Sequence, residues 1–278
     1  MTITYNGQSL TTDGVTFQAI PEGIFGNETR QSEQLLVGRD GGIIHENLLG
    51  MKNIVLEGRV RGSTPEEFFQ RFKTQSQKLK VESTPRELAI TTWDNVTRLY
   101  YAVVIAPPIA GLSAKEGNIT YVDFRVEFRC EKPYSYSSNL TSVTIPLSEG
   151  GGFEIPVEIP IAWVGGVSDE AVFVNDGNTI VYPTIKIDGP CLYPRITNLT
   201  TGVSMAFPNL EIFAGEQILI EFGRYGTSIT KNGVNIFNEA YGEYPNAIEG
   251  NNTYKFGASR YDSSALATIS ANISYTYF

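Results

Sequence analysis

Strict alternation of apolar and polar residues marks several segments of the chain and predicts strands with one buried face. The clearest segment is residues 121–130, YVDFRVEFRC, whose charged phase is predicted to face solvent or a partner. Residues 53–62 and 266–278 alternate in the same way. Because such alternation is typical of antiparallel sheets with one wet face, the chain is predicted to be mainly β. The predicted inward residues of the first segment are Val122, Phe124, Val126, Phe128 and Cys130.

One α-helix is predicted between the strands, within residues 63–80, STPEEFFQRFKTQSQKLK. Thr64 can accept a hydrogen bond as the N-cap, Pro65 suits the first helical position, and Glu67 completes a capping box. The helix is predicted to cover one side of a sheet. A helix lying on a membrane surface is the alternative, and the weak basic face of this helix argues against it.

The phase of this helix decides which of its aromatic side chains are buried. Helical spacing from Phe69 through Phe72 to Leu79 gives a narrow apolar stripe, so Phe69 and Phe72 are predicted to belong to the core. Phe68 lies beside the stripe, toward its rim. It is predicted either to extend the core or to contact a neighbouring subunit.

The charge of the chain changes near its middle. The net charge is −9, and residues 1–135 carry 15 basic and 16 acidic side chains, whereas residues 136–278 carry 6 and 14. An acidic half repels phosphate backbones, so the second half is not predicted to bind DNA or RNA. Its acidity is predicted either to keep the protein soluble or to form an acidic docking face.

The same boundary predicts two domains. Residues 1–135 are predicted to form an antiparallel β-sandwich with the one α-helix. Pro133 cannot extend a strand ladder, and the Ser- and Tyr-rich residues 136–139 are predicted to be a linker. Residues 140–278 contain short apolar runs between turns, including an Asn-Gly hairpin turn at 232–233, and predict a second β-sandwich.

Few residues in the sequence support a catalytic function. His45 is the only histidine, so a histidine-rich metal site is excluded, and no G-x-S-x-G motif is present. Glu154 and Glu158 could form a carboxylate pair for sugar hydrolysis, yet any acidic β-sandwich offers as many candidates. Trp93 and Trp163 would make a thin aromatic platform for a sugar. No enzyme activity, cofactor or metal is therefore predicted.

Two cysteines and a glycine-rich segment have structural interpretations. Cys130 and Cys191 lack the spacing of a metal site. Cys130 lies on the apolar phase of its strand and is predicted to be a buried free thiol, with a disulfide or a reactive thiol as alternatives. Residues 37–44, VGRDGGII, lack the ending of a phosphate-binding loop and predict a tight turn with positive φ at Gly41 or Gly42.

The N-terminal segment, MTITYNGQSL, has neither the basic start nor the apolar run of a signal peptide. No segment approaches the ~20 apolar residues of a membrane span, so no membrane insertion is predicted. The sequence thus predicts a soluble protein made in a cytoplasm. The Asn-x-Thr triplets at Asn95 and Asn198 are then predicted to be turn and strand residues rather than glycan sites.

The order of several motifs is similar to that of a known family. GRDGG at 38–42 is followed by NIVLEGRV, the predicted helix, RLYYAVV and VEFRCEKPYSYS. An F-x-C-x-x-P-x-x-Y pattern is matched by Phe128, Cys130, Pro133 and Tyr136. Over nearly its whole length the chain resembles the distal tail protein (Dit) family of long-tailed phages, also called the siphovirus tail component. Its second half resembles the galectin-like C-terminal β-sandwich of that family.

The resemblance implies a structural protein of the virion, located at the phage tail tip and assembled in the host cytoplasm. In this family the N-terminal domains form a hexameric ring and the C-terminal domains project outward. The ring joins the tail tube protein to the tail-tip hub, and receptor-binding or baseplate proteins are further partners. The family supplies no catalytic, cofactor-binding or metal-binding residues. Ring contacts are expected in the N-terminal domain, with Phe68, Arg125, Glu127 and Arg129 as candidates.

Two other functions are alternatives. A carbohydrate-binding β-sandwich module would account only for the second half of the chain. The histidine and arginine cluster with which galectins contact sugars is missing, because no histidine follows His45. A glycosidase would require a carboxylate pair that no motif marks. Light scattering separates a ring, which has several times the mass of one chain, from both alternatives.

Overall fold

The computed structural model describes residues 1–35, 40, 42–110, 120–147, 169–223, 226–259 and 264–276. Within these residues the chain is mainly β with a single α-helix, as the alternation predicted. The chain divides into two compact units. The first comprises Met1–Ser138 together with the C-terminal residues from Tyr275, and the second comprises Asn139–Ser274. The expectations for Gly41, Glu154, Glu158 and Trp163 lie outside the described residues.

The first unit contains ten strands, the last of which continues into the second unit, and one helix among the described residues. They are β1 Thr2–Tyr5, β2 Gln8–Ser9, β3 Val15–Phe17, β4 Thr29–Leu35, β5 Gly42–Leu49, β6 Lys52–Arg61, α1 Pro65–Lys78, β7 Arg86–Thr91, β8 Thr97–Ala110, β9 Tyr121–Cys130 and β10 Ser135–Pro146. All of the described pairings are antiparallel, and β8 pairs with both β7 and β9. The strands therefore follow one another in the order β2–β1–β7–β8–β9–β6–β3.

The core of the first unit is built from the inward phases of these strands. The inward residues of β9 are each at most 3% exposed, as the alternation predicted. Ile54, Leu56 and Val60 of β6 face the same core. Cys130 is a buried free thiol, as predicted, and burial raises its pKa to about 12. Cys191 is also buried and free. Neither thiol therefore has the character of a reactive thiolate.

Helix α1 begins as the sequence predicts. The Thr64 side chain accepts a hydrogen bond from the Glu67 backbone N–H at 3.2 Å, and Pro65 occupies the first helical turn. The Glu67 carboxylate accepts a hydrogen bond from the Ser63 backbone N–H at 2.6 Å, which lowers the pKa of Glu67. The cap thus satisfies N–H groups that would otherwise have no partner at the start of the helix.

The predicted phase of α1 is wrong by one residue. Phe68 is 2% exposed and belongs to the core, whereas Phe69 is 58% exposed. The buried stripe runs from Phe68 through the partly buried Phe72 to Gln75 and Leu79. Gln75 can occupy a core position because its side-chain amide donates to the Leu10 carbonyl oxygen at 3.3 Å. Of the two alternatives predicted for Phe68, burial supports the extension of the core, since its side chain is enclosed by its own unit.

The predicted linker, residues 136–139, is not an irregular segment, because it lies within β10. Tyr136 and Ser137 pair with Leu99 and Arg98 of β8. Serine, threonine and tyrosine are tolerated in a partly exposed strand, so the polar composition that suggested a linker is compatible with pairing. The chain passes from the first unit to the second inside this strand and returns inside the last strand. The independence of the two predicted domains stays a prediction.

The second unit contains two larger sheets among its described residues. The elements are β11 Glu170–Asn175, β12 Thr184–Asp188, β13 Cys191–Leu192, β14 Arg195–Asn198, β15 Val203–Ala206, β16 Glu211–Ile212, β17 Gln217–Gly223, β18 Gly226–Lys231, β19 Val234–Asn235, a 3₁₀ turn Phe237–Glu239, β20 Tyr241–Gly242, β21 Gly250–Gly257 and β22 Leu266–Tyr275. In the first sheet, β22–β12–β17–β18–β19 are neighbours, and in the second the order is β11–β21–β14–β15–β20. β13 pairs with β16.

Each of these sheets has a buried face, which is the arrangement of a β-sandwich. Ile185, Ile218 and Ile269 are fully buried in one sheet, and Ile196 and Phe256 are fully buried in the other.

Two turn predictions in the chain are confirmed by backbone geometry. Asn232 and Gly233, between β18 and β19, both have positive φ, as a tight hairpin turn requires. Asn95 also has positive φ in the turn between β7 and β8. Asn198 is fully buried at the end of β14, so it is a strand residue and not an accessible glycan acceptor.

Candidate functional site

The outer face of β6 and β9 carries a ladder of opposite charges. The alternation that buries one phase of each strand exposes the other phase. Arg59 lies directly opposite Asp123 in the antiparallel register, and its Nη2 is 2.8 Å from Asp123 Oδ2. This hydrogen bond lowers the pKa of the Asp123 carboxyl group. The pair is more than one-third exposed, so it adds little to stability and acts mainly by fixing the position of two charges.

Arg125 and Glu127 continue this ladder along β9. Arg125 Nη2 lies 3.0 Å from Glu127 Oε1, and its Nη1 lies 3.8 Å from Glu57 Oε1. Arg129 donates from Nε to the Asn53 side-chain oxygen at 3.0 Å. The three predicted contact residues of β9 are therefore on the surface of the unit. Their charges are already oriented by neighbours on β6 or β9.

A groove of about 730 Å³ runs along this face. Its lining includes Arg125 and Glu127 but not Arg129, which lies further along β9. Gly58 lies opposite Phe124 and leaves room for its ring, because a Cβ there would come within 2.9 Å of that ring and 2.7 Å of the Thr16 carbonyl oxygen. The side chains that line the groove bear both signs of charge. Such a surface suits recognition of a protein partner of complementary charge.

The lining of the groove contains arginines, carboxylates and neutral residues but no histidine or cysteine. Elsewhere in the described part of the chain, no group of three or more histidine, cysteine or acidic residues is placed to hold a metal ion. None of the described helices is long and apolar enough to cross a membrane. Trp93, the candidate for a sugar platform, is 73% exposed in the turn between β7 and β8. His45 lies within β5.

A second surface feature is the hairpin formed by β4 and β5. In the described residues these two strands pair with each other and with no other strand. Thr29 to Ser32 on β4, and Leu48 on β5, are exposed. The base of the hairpin is fixed, since the Gly50 N–H donates to the Glu28 carbonyl oxygen at 2.7 Å. Because isolated two-stranded hairpins are marginally stable in water, this hairpin is suited to being supported by a partner.

Sequence reasoning found part of this surface. It identified Asp123, Arg125, Glu127 and Arg129 as the outward phase of β9, and it placed Arg59 on the polar phase of β6, but it did not place Arg59 opposite Asp123. The pairing of those two residues depends on the register between β6 and β9, which neither strand specifies alone. The hairpin was missed because β4, TRQSEQL, shows no apolar alternation, although the glycine-rich segment that follows it predicted a turn.

Comparisons with solved structures describe the same architecture. The chain matches the Dit protein of phage SPP1 with a TM-score of 0.69 and 17% identity over 98% of both chains. That protein is described as a paradigm of the hub adsorption apparatus in phages that infect Gram-positive bacteria. No protein-family model and no curated protein sequence matches the chain.

Two structures of the phage p2 baseplate in its activated conformation also match. The one with Sr gives a TM-score of 0.54 at 15% identity, covering 100% of this chain and 98% of that chain. The one with Ca gives 0.52 at 16% identity, covering 97% and 94%. The chain therefore has the fold that its resemblance to phage distal tail proteins predicted.

Proposed function

We propose that this chain is a structural distal tail protein of a phage and that its copies assemble into a hexameric ring at the tail tip. The observation that carries this proposal is the shared fold with SPP1 Dit, which extends over 98% of both chains and therefore includes both units. A match confined to one β-sandwich would carry much less weight, because such folds serve many functions. No catalytic role is part of the proposal.

Ring formation is assigned to the first unit. Its charges are nearly balanced, with 15 basic and 16 acidic residues in positions 1–135, so copies of this unit would meet with little net repulsion. The proposed contacts are the β4–β5 hairpin and the charged groove that contains Arg125 and Glu127. Arg129 is proposed to contribute at the end of the groove face. Phe69, which is 58% exposed, replaces Phe68 as the aromatic candidate on α1.

The remaining partners follow from the proposed place in the virion. One side of the ring would bind the tail tube protein, and the other would bind the tail-tip hub. The second unit would face receptor-binding or baseplate proteins, and the protein would be assembled in the host cytoplasm before it enters the virion. Light scattering of the purified chain tests the ring, since a single chain has a mass of 30.6 kDa and a hexamer has six times that mass.

Removing the hairpin should abolish assembly while leaving the unit folded. Thr29 and Leu49 are paired at its base, so an Asn-Gly turn can replace residues 30–48. The expected product is a monomer with an unchanged β-type circular dichroism spectrum, because the hairpin pairs with no other described strand. Trp93→Ser, which alters another exposed turn of the same unit, should assemble normally. A deletion variant that still forms the wild-type oligomer would exclude the hairpin as a ring contact.

Reversing one charge in the groove should weaken the ring. Arg125→Glu places a third carboxylate beside Glu57 and Glu127, and we expect the dissociation constant of the assembly to rise on the order of tenfold at low salt. Arg86→Glu is the matched control, because it breaks an exposed ion pair with Glu82 outside the groove. Native mass spectrometry during dilution measures both variants. Equal dissociation of the two variants would remove the groove from the proposed interface.

Glycan binding by the second unit is the other candidate, and one observation favours it. The rings of Tyr182 and Phe222 stack with centroids 4.1 Å apart, and both side chains are about two-fifths exposed. Exposed aromatic faces of this kind can pack against the apolar face of a sugar ring. A glycan array probed with the full chain distinguishes this candidate from a purely structural role.

A further inference from the structure

Among the described residues, a buried lysine at the start of β6 has only uncharged hydrogen-bond acceptors. Lys52 is 2% exposed, and its Nζ donates to the Gly26 carbonyl oxygen at 3.0 Å and to Asn27 Oδ1 at 3.1 Å. The ring of the fully buried Tyr100 lies beneath it, with its centroid 5.9 Å from Nζ. Burying an ammonium group without a counter-charge is unfavourable. The pKa of such a lysine therefore falls, and a larger fraction of its amine is neutral.

Burial favours the neutral amine of Lys52, because it lowers the pKa of the ammonium group. The residue opposite Lys52 on β9 is Cys130, whose thiol is itself buried and protonated at neutral pH because burial raises its pKa. A lysine amine with a lowered pKa carries a free lone pair for a larger fraction of the time, and that lone pair is what makes it a nucleophile.

An electrophile is held beside this amine. The 3.1 Å distance from Nζ to Asn27 Oδ1 puts the carboxamide carbon of Asn27 next to the nitrogen. The carboxamide is fixed on its other side, because Asn27 Nδ2 donates to the Thr276 carbonyl oxygen at 2.8 Å. Two further hydrogen bonds, from Gly50 N–H and from the Asn53 side chain to Glu28, hold the two chain segments together. Holding two groups close together raises their effective concentration, which reaches about 10⁵–10⁸ M in well-oriented intramolecular reactions.

We propose that Lys52 and Asn27 form an intramolecular isopeptide bond. Lys52 Nζ attacks the Asn27 carboxamide carbon, a new C–N bond forms, and the bond from that carbon to Nδ2 breaks. One amine proton stays on the new amide nitrogen and another passes to the departing nitrogen, which leaves as ammonia. The reaction needs no oxidant, reductant or second substrate.

The bond would close a covalent loop around the β4–β5 hairpin. Residues 27–52 contain both strands of the hairpin, and the new bond would join their two ends just outside the Glu28–Gly50 backbone hydrogen bond. The hairpin would then be unable to separate at its base without breaking a covalent bond. This inference does not depend on the proposed function, because it concerns only one chain and is tested on a single chain.

Mass spectrometry of the full chain tests the proposal. The intact mass after denaturation should be lower than the sequence mass by one ammonia. Trypsin should release a branched peptide in which residues 1–30 are joined to residues 40–59, because cleavage after Lys52 is blocked. A succinimide at Asn27 would also lose one ammonia but would leave Lys52 cleavable, and that result would overturn the proposal. An intact mass equal to the sequence mass, in protein that is folded and has been incubated at neutral pH, would overturn it as well.

Two variants test whether the loss of ammonia requires both Lys52 and Asn27. Lys52→Met removes the nucleophile, and Asn27→Ala removes the electrophile while keeping the lysine; both should have the full sequence mass. Lys73→Met, on an exposed position of α1, is the matched control and should retain the loss of ammonia and the branched peptide. Loss of ammonia that persists in the folded Asn27→Ala variant would place the modification elsewhere and refute the assignment.

Discussion

Replacing Phe68 with alanine should lower the free energy of unfolding of the first unit by about 3–5 kcal/mol, as is usual for buried phenylalanine residues. Phe68 is 2% exposed, and its ring stacks on that of Phe72 at 6.3 Å within the core cluster. Removing the ring loses the free energy of its burial and leaves a cavity beneath α1, which the close-packed strands cannot fill without moving. Urea denaturation followed by circular dichroism measures the change.

Phe69→Ala is the matched control for this prediction. It changes the same residue type one position along the same helix, so helix propensity and composition change equally. Because Phe69 is 58% exposed, its loss should change the free energy of unfolding by less than about 1 kcal/mol. A larger loss of stability from Phe69→Ala than from Phe68→Ala would mean that the helix is buried in the phase originally predicted from its sequence.

The phase of α1 illustrates what the sequence could not decide. Two stripes share Phe72 and Leu79, and they differ in whether Phe68 or Phe69 is added to them. The observed stripe includes Gln75, which a hydrophobic pattern penalises. Its burial is possible only because the Leu10 carbonyl oxygen, distant in sequence, accepts a hydrogen bond from its side chain. The helix boundaries and cap were predictable because they depend on neighbouring residues, whereas the phase depends on a tertiary contact.

The strands also differ in how far the sequence alone predicts them. β9 was predictable because its alternation is unbroken and its inward residues are all apolar. Residues 136–139 of β10 were predicted to be a linker because of Pro133 and their Ser- and Tyr-rich composition, although Tyr136 and Ser137 pair with β8. The alternating segment of β6 was predicted to begin at residue 53, so Lys52 was left out of it. The structure places Lys52 on the inward phase of β6 together with Ile54 and Leu56, and its uncharged partners come from a separate segment.

The candidate surface was predictable only in outline. An outward phase with Arg125 and Glu127 follows from the alternation of β9 alone. The groove also requires β3 to pair with β6 and β6 to pair with β9 in one particular register, which places Gly58 opposite Phe124. Motif order, rather than any single residue, carried the resemblance to distal tail proteins. The fold is shared with SPP1 Dit over 98% of both chains although only 17% of the residues are identical.

In the second unit the largest effect is expected at a buried asparagine that no pattern identifies. Asn252 is fully buried on β21. Its Oδ1 accepts from Asn198 Nδ2 at 3.1 Å and from the Ile248 N–H at 3.0 Å. Its Nδ2 donates to the carbonyl oxygens of Ile248 and Gly250 at 2.7 and 3.0 Å. One side chain therefore fixes the 248–250 turn and joins it to β14.

Asn252→Ala should therefore lower the free energy of unfolding of the second unit by about 2–4 kcal/mol, because buried donors and acceptors lose their partners together. Asn251→Ala is the matched control, since the neighbouring side chain is exposed and its loss should change stability by less than about 0.5 kcal/mol. Thermal and urea denaturation of the full chain, followed by hydrogen exchange at residues 248–252, would locate the effect. If both variants unfold like the wild type, water must be satisfying the freed groups, and the turn is held by its backbone rather than by Asn252. If Asn252→Ala loosens hydrogen exchange throughout β14 and β21 while the first unit stays protected, the network stabilises the second unit alone.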